Sequence, residues 1–257
     1  MSLTVGTGPF APERGGRFNF DLPDRVIYAE SWPRRLRAVF GGETVLDTHV
    51  AVALYETGQF MEHWIPLADV RLELLEMADG ELANSWRVRV GNRVAPGEVR
   101  SYRPRPGDPD LVDHVNFSHV TMDRWFEEDD PIYAHLPDPY HRVDVRSSSR
   151  HVVIRAKGET VAETTRPKLL FETGLPTRFY LPFADVRLDV LRRSDTVSEC
   201  PYKGDGQHWH LTVGGSEIED AAWSLPHPLP AGLSAAEHLC FYPEKAQVFV
   251  DGLPISA

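Results

Sequence analysis

The sequence predicts a mainly β protein built from two tandem copies of one small, curled antiparallel domain. Three observations carry this: a long internal repeat, runs in which apolar and polar residues alternate, and Gly or Pro at most of the gaps between those runs.

The repeat is read directly. Gly42-Glu-Thr-Val45 recurs as Gly158-Glu-Thr-Val161, and Leu54-Tyr-Glu-Thr-Gly58 recurs as Leu170-Phe-Glu-Thr-Gly174. Pro66-Leu-Ala-Asp-Val-Arg-Leu72 recurs as Pro182-Phe-Ala-Asp-Val-Arg-Leu188, and all three pairs lie 116 positions apart. Over the ungapped block from Gly42 to Leu75, 16 of 34 aligned positions are identical. Unrelated chains of ordinary composition would share roughly two, so the halves are diverged copies. Further on, Trp86-Arg-Val-Arg-Val-Gly91 aligns with Trp209-His-Leu-Thr-Val-Gly214 at an offset of 123, so the second copy has gained seven residues. These fall around Ser198-Glu-Cys-Pro-Tyr-Lys-Gly-Asp205, against residues 80–85 of the first copy. His114-Val-Asn-Phe117 and Trp125 match His238-Leu-Cys-Phe241 and Phe249, which carries the duplication to the ends of both units.

The elements follow in chain order. Residues 1–24, rich in Gly and Pro, read as an N-terminal arm that either wraps through Phe10, Phe18 and Phe20 or is partly disordered. The first repeat, residues 25–128, carries expected strands at Leu36–Phe40 and 51–55, the alternating Val70, Leu72 and Leu74, and one short helix over 111–117. Residues 129–147 read as a linker, acidic at first, in which Pro131, Pro137 and Pro139 limit regular structure. The second repeat, residues 148–257, carries expected strands at Val152–Ala156, 186–190, 208–213 and Gln247–Val250. Its short helix is expected over 234–239, capped by Ser234 and favoured by Ala235-Ala-Glu237.

Composition narrows the classes of function. With 42% hydrophobic and 25% charged residues in 257, the chain can bury a core and lacks the signature of disorder. A net charge of -11 argues against nonspecific binding to nucleic acid or an anionic membrane, which needs clustered Lys and Arg. No signal-peptide pattern is present and no apolar run approaches the ~20 residues of a membrane span, so a cytoplasmic location is expected. Two cysteines, Cys200 and Cys240, are too few for a disulfide framework or a thiolate zinc site. Only Lys157, Lys168, Lys203 and Lys245 among the 27 basic residues are lysines, so each stands out as a specific choice. The G-x-S-x-G, H-E-x-x-H, G-x-G-x-x-G and P-loop patterns are absent.

The Cys-Pro-Tyr-Lys-Gly at 200–204, with Tyr180-Leu-Pro-Phe-Ala-Asp-Val186, Ala222-Trp-Ser224 and Phe241-Tyr-Pro243, closely resembles the bacterial domain of unknown function family 427. That family is sometimes labelled nucleotidyltransferase-like. The resemblance covers nearly all of residues 148–252, and the first copy more loosely. It implies a β-tent-like fold, an architecture whose members usually hold zinc with two Cys pairs. This chain has no C-x-x-C, so the metal is not carried over, no cofactor is expected, and a hydrophobic core must stabilise each unit.

The inserted loop concentrates candidate chemistry. Cys200 reads as a thiol activated by nearby Lys203 against the opposing Glu199, or as a buried structural cysteine beside a Pro201 turn. Lys203 reads as an anion holder followed by the flexible Gly204-Asp-Gly206, or as a solvated loop lysine. Tyr202, Trp223 and Tyr242 suit a pocket for a flat ring, with Ser224 as a polar fixer. Trp209 has Trp86 as its counterpart and reads as core. His208 and His210 would share a strand face, but no third ligand is evident and no metal site is expected. The leading expectation is therefore a pocket at Tyr202, Lys203, Trp223, Ser224 and Tyr242 that binds a small, polar, ring-containing ligand, with the first repeat structural. The alternatives are an enzyme, using Cys200 for thiol chemistry or Lys203 for group transfer, and a protein-interaction module.

Overall fold

The computed structural model describes residues 2–77 and 85–255. The chain divides into two compact units, Met1–Asp138 and Pro139–Ala257. Each is a large antiparallel sheet packed on a smaller one. In the second unit the seven strands run, in spatial order, Val143–Ser147, Lys168–Glu172, Arg178–Pro182, His238–Phe241, Ser216–Ser224, Gly206–Val213 and Leu191–Ser198. The small sheet orders Glu159–Thr164, Val152–Ala156, Gln247–Val250 and Leu253–Pro254.

The first unit repeats that order. Ile27–Ser31, Val52–Glu56, Glu62–Pro66, His114–Phe117, Val99–Ser101, Ser85–Val90 and Leu75–Met77 form its main path, with Arg93–Val94 pairing Ser85–Val90. Glu43–Thr48, Leu36–Phe40, Arg124–Glu127 and Asp130–Pro131 form the small sheet. Among the described residues neither unit closes into a barrel.

The identical blocks of the repeat hold identical joints. The Thr48 hydroxyl donates to the Asp69 carboxylate at 2.6 Å, and Thr164 donates to Asp185 at 2.6 Å. Leu46 bridges Val70 just as Ala162 bridges Val186. Each joint ties the small sheet to the turn leaving the large one, so the shared Asp-Val-Arg sequence sets how the two sheets meet.

Alternation along the strands builds the core. Val152, Ile154 and Val161 of the small sheet bury against Leu181, Leu211, Leu239 and Phe241 of the large one, and the first unit packs Leu36, Ala38 and Val45 on Ile65, Val88 and Val115 in the same way. The opposite face of the second unit's large sheet is partly covered. There the 3₁₀ turn Pro230–Ala235 and Leu225 pack on Leu170, Tyr180 and Cys240.

Several sequence expectations are corrected. Residues 186–190 are not a strand: Leu188–Val190 is a 3₁₀ turn closed by Val190 N–H to the Arg187 carbonyl, with Leu188 exposed and Val186 and Val190 buried. Leu72–Leu74 does the same in the first unit. The expected helix over 111–117 is the strand His114–Phe117, drawn into the sheet centre by pairing with both neighbours. That over 234–239 begins earlier, as the 3₁₀ turn Pro230–Ala235 started by Pro230, and His238 is already in a strand.

The arm is held less by its phenylalanines than by its first residues. Thr4 exchanges bonds with Gly58 and Gln59, and Leu3 packs on the core, whereas Phe18 and Phe20 stack near Phe10 with exposed rings. Within the expected linker, Asp138 and His141 are buried and Val143–Ser147 is a strand of the second unit's large sheet. The first-copy residues 80–84, set against the cysteine loop, lie outside the described residues. No helix among the described residues is long and apolar enough to cross a membrane.

Candidate functional site

The inserted loop folds onto its own unit. Lys203 Nζ lies 2.5 Å from Glu172 Oε2, and His141 Nε2 donates to Glu172 Oε1 at 3.0 Å. Tyr202 stacks on the His141 ring, with centroids 4.0 Å apart. Burial raises the Glu172 carboxyl, but the hydrogen bond from His141 and the charge of Lys203 outweigh it and hold the group at about 2. Gly204 takes φ +91°, and its N–H closes on the Cys200 carbonyl at 2.9 Å. The next contact runs from Leu229 N–H to the Lys203 carbonyl at 3.0 Å. Lys203 therefore serves as the partner of a buried carboxylate, and the loop as a latch across residues 227–229. Cys200 is half-buried within it.

Trp223 belongs to a second place. Tyr180 pairs with Cys240, Cys240 with Trp223, and Trp223 with His208, which puts the four on one cross-strand row. Trp223 Nε1–H donates to the Tyr180 hydroxyl at 2.9 Å, its ring lies 4.3 Å from Tyr242, and the Arg178 guanidinium sits 5.6 Å above it. The Cys240 thiol is 1% exposed, and burial pushes its pKa well up. His208 Nε2 meets Ser198 Oγ at 3.2 Å, while His210 Nδ1 accepts from Asp220 N–H at 3.0 Å. Each histidine has its own partner, and no three metal-binding side chains converge among the described residues.

The cleft is a third place. A cavity of about 880 Å³ is lined by Ser147, Ser148, Arg166, Lys168, Trp209 and Ser224, with Pro182, Phe183 and the 236–238 segment closing its sides. Ser147, Lys168, Pro182, His238 and Ser224 are each the terminal residue of a strand, and those five strands are consecutive neighbours in the sheet. Antiparallel pairing thus brings five strand ends to one edge. Trp209 and Phe183 meet edge to face, centroids 5.7 Å apart, and Trp209 Nε1–H donates to Ser224 Oγ at 2.9 Å. Of the residues that the sequence marked for a pocket, Ser224 lines this cleft. Tyr202, Lys203, Trp223 and Tyr242 do not. Trp209 packs on the core of its unit, as the sequence suggested, and also borders the cleft, while Trp223 is packed among aromatic neighbours.

Two segments of the chain, residues 28–128 and 144–252, match the family described as Domain of unknown function (DUF427). The chain belongs to the DUF427 family. No curated protein matches it.

The two DUF427 units differ at several positions that line the cleft. Trp32 N–H bonds to the Ala51 carbonyl at 2.8 Å and Ser148 N–H to the Pro167 carbonyl at 3.0 Å, which fixes Ser148 as the counterpart of Trp32. In the first unit that indole is 2% exposed and packed edge-on against His63 at 4.3 Å. The positions of Arg166 and Lys168 are Val50 and Val52 there, and that of Phe183 is Leu67. The second unit has a hydroxyl where the first has a large buried ring, and two cations where the first has valines. Pairing Trp32 with Ser148 at the repeat's own offset of 116 was the signal available in the sequence, but it falls outside the identical blocks.

Proposed function

We propose that the second DUF427 unit binds a small, polar, ring-containing ligand in the cleft at Ser148, Lys168, Trp209 and Ser224, and that the first unit is a structural copy. The observation that supports this is Ser148 standing where the first unit has Trp32, together with Lys168, which makes no ion pair among the described residues, where the first unit has Val52. Arg166 is accounted for by its pair with Asp185, but Lys168 has no such structural partner among the described residues, and binding sites of roughly 300–1,000 Å³ combine an apolar wall with a few placed polar groups. Neither Cys200 nor Lys203 lines the cavity, so the reading rests on binding and not on thiol chemistry.

The test is a metabolite screen by thermal shift, run in parallel on the wild type and on Ser148→Trp. A ligand of the folded state raises the wild-type midpoint by mass action. A hit that Ser148→Trp removes, with its own fold intact, supports the cleft. Hits that persist in Ser148→Trp place binding elsewhere and refute the reading.

A further inference from the structure

The side chains of the cleft leave several hydrogen-bond donors unengaged, and this narrows what it takes. Lys168 Nζ donates to Ser147 Oγ at 2.7 Å, and Arg150 N–H donates to Ser148 Oγ at 3.2 Å. Trp209 Nε1–H donates to Ser224 Oγ at 2.9 Å. In all three the serine oxygen is the acceptor, so each hydroxyl proton remains for a further bond. Three O–H donors therefore line one cavity beside a lysine. Among the described residues Lys168 makes no ion pair, in contrast to Lys203, which is matched by Glu172, and to Arg166, which is matched in two-pronged fashion by Asp185. Glu237 is the single carboxylate of the lining and is exposed at its rim. His238 Nδ1–H donates to the Ala236 carbonyl at 2.6 Å, which leaves Nε2 of the neutral ring as one acceptor on the lining.

Three hydroxyl protons and an ammonium without an ion pair favour a ligand that supplies oxygen acceptors and negative charge. Phe183 and Trp209 offer the apolar wall on which a flat ring rests. We propose that the ligand is an anionic ring compound: an aromatic or heteroaromatic ring against Phe183 and Trp209, with a carboxylate or phosphate held by Lys168 and the hydroxyls of Ser147 and Ser148. The proposal rests on the reading of the cleft as a binding site and names the chemistry of its occupant. Charge-assisted bonds from an ammonium and hydroxyls to an oxyanion are the stronger class of hydrogen bond, and a cleft partly shielded from water strengthens them.

The experiment uses four probes on the full chain by isothermal titration: indole-3-acetate against indole-3-acetamide, and adenosine monophosphate against adenosine. The pairs share a ring and differ in charge, and the two arms separate a carboxylate from a phosphate. At least one anion should bind about tenfold or more tightly than its neutral twin, which corresponds to one good charge-assisted contact. Lys168→Met, checked for an unchanged melting midpoint, should erase that preference, and Ser148→Trp should remove binding altogether. Neutral probes that bind as well as the anions, yet are lost in Ser148→Trp, overturn the anion proposal and leave the cleft as a site. Binding of none of the four, or binding indifferent to Ser148→Trp, overturns both.

Discussion

Lys203 reaches from the inserted loop to Glu172, with Nζ 2.5 Å from Oε2 across 31 residues of sequence. At the same position of the first copy Glu56 pairs with Arg25 at 2.6 Å, and Arg25 is held in turn by Asp108. Both units thus anchor this glutamate with a cation, from opposite directions in sequence. A charged pair conserved in place but rebuilt in chemistry is a structural element, and its removal should cost stability.

Glu172→Gln leaves Lys203, whose side chain is 20% exposed, without its carboxylate and weakens the bond to His141. Breaking a buried pair from one side costs about 3 kcal/mol. The expected outcome is a loss of about that size by urea unfolding, with the linear slope unchanged. A loss within experimental error would show that the latch does not hold the loop.

Acid should reveal the same pair. Glu172 is depressed from an ordinary 4.5 to about 2, so its contribution is fully present above the unfolded value. It declines as pH falls below 4.5 and is gone once pH passes the folded value of about 2. Unfolding midpoints taken from about pH 6 down to pH 2 should fall in the wild type, and Glu172→Gln should show a shallower decline over that window. Parallel curves for the two proteins would contradict the assignment.

The turn at Gly204 is equally specific. With φ at +91°, an added Cβ would lie 2.7 Å from the His227 carbonyl oxygen. Gly204→Ala must therefore strain the backbone and push the loop away from residues 227–229, at a cost of about 2 kcal/mol. The readout is the melting midpoint together with amide exchange at Leu229, whose N–H bonds to Lys203. Faster exchange at Leu229 is expected.

The two thiols should separate cleanly. Cys200 is half-buried in the loop, whereas Cys240 is 1% exposed and its thiol is pushed up by burial. A maleimide should modify Cys200 alone in the folded chain and both residues in denaturant. Equal labelling of both in the native state would show that the aromatic row opens.

The architecture was legible because the identical blocks of the repeat coincide with the joints that define it, such as Thr164 with Asp185 and Ala162 with Val186. The 186–190 segment misled because Arg187 and Asp189 alternate with apolar residues as in a strand. Its backbone instead bonds locally, and Arg187 pairs with Asp189 on the outside of the turn. The site was harder to read. Cys200 and Lys203 stand out in the sequence by residue type, but the partner that occupies Lys203, Glu172, is remote in sequence. Ser148 lines the cleft where the first unit has Trp32, and a small residue in place of a large one leaves no motif.

The most direct measurement follows the Trp209 indole N–H by heteronuclear NMR as ligand is added, with its signal assigned from Trp209→Phe and compared with those of Trp86 and Trp223. Because that N–H bonds to Ser224 Oγ at the cleft wall, an occupant of the cleft should shift it while Trp86, its counterpart in the first unit, stays in place. A ligand that shifts Trp223 and leaves Trp209 unmoved would put the site on the aromatic row and contradict the account.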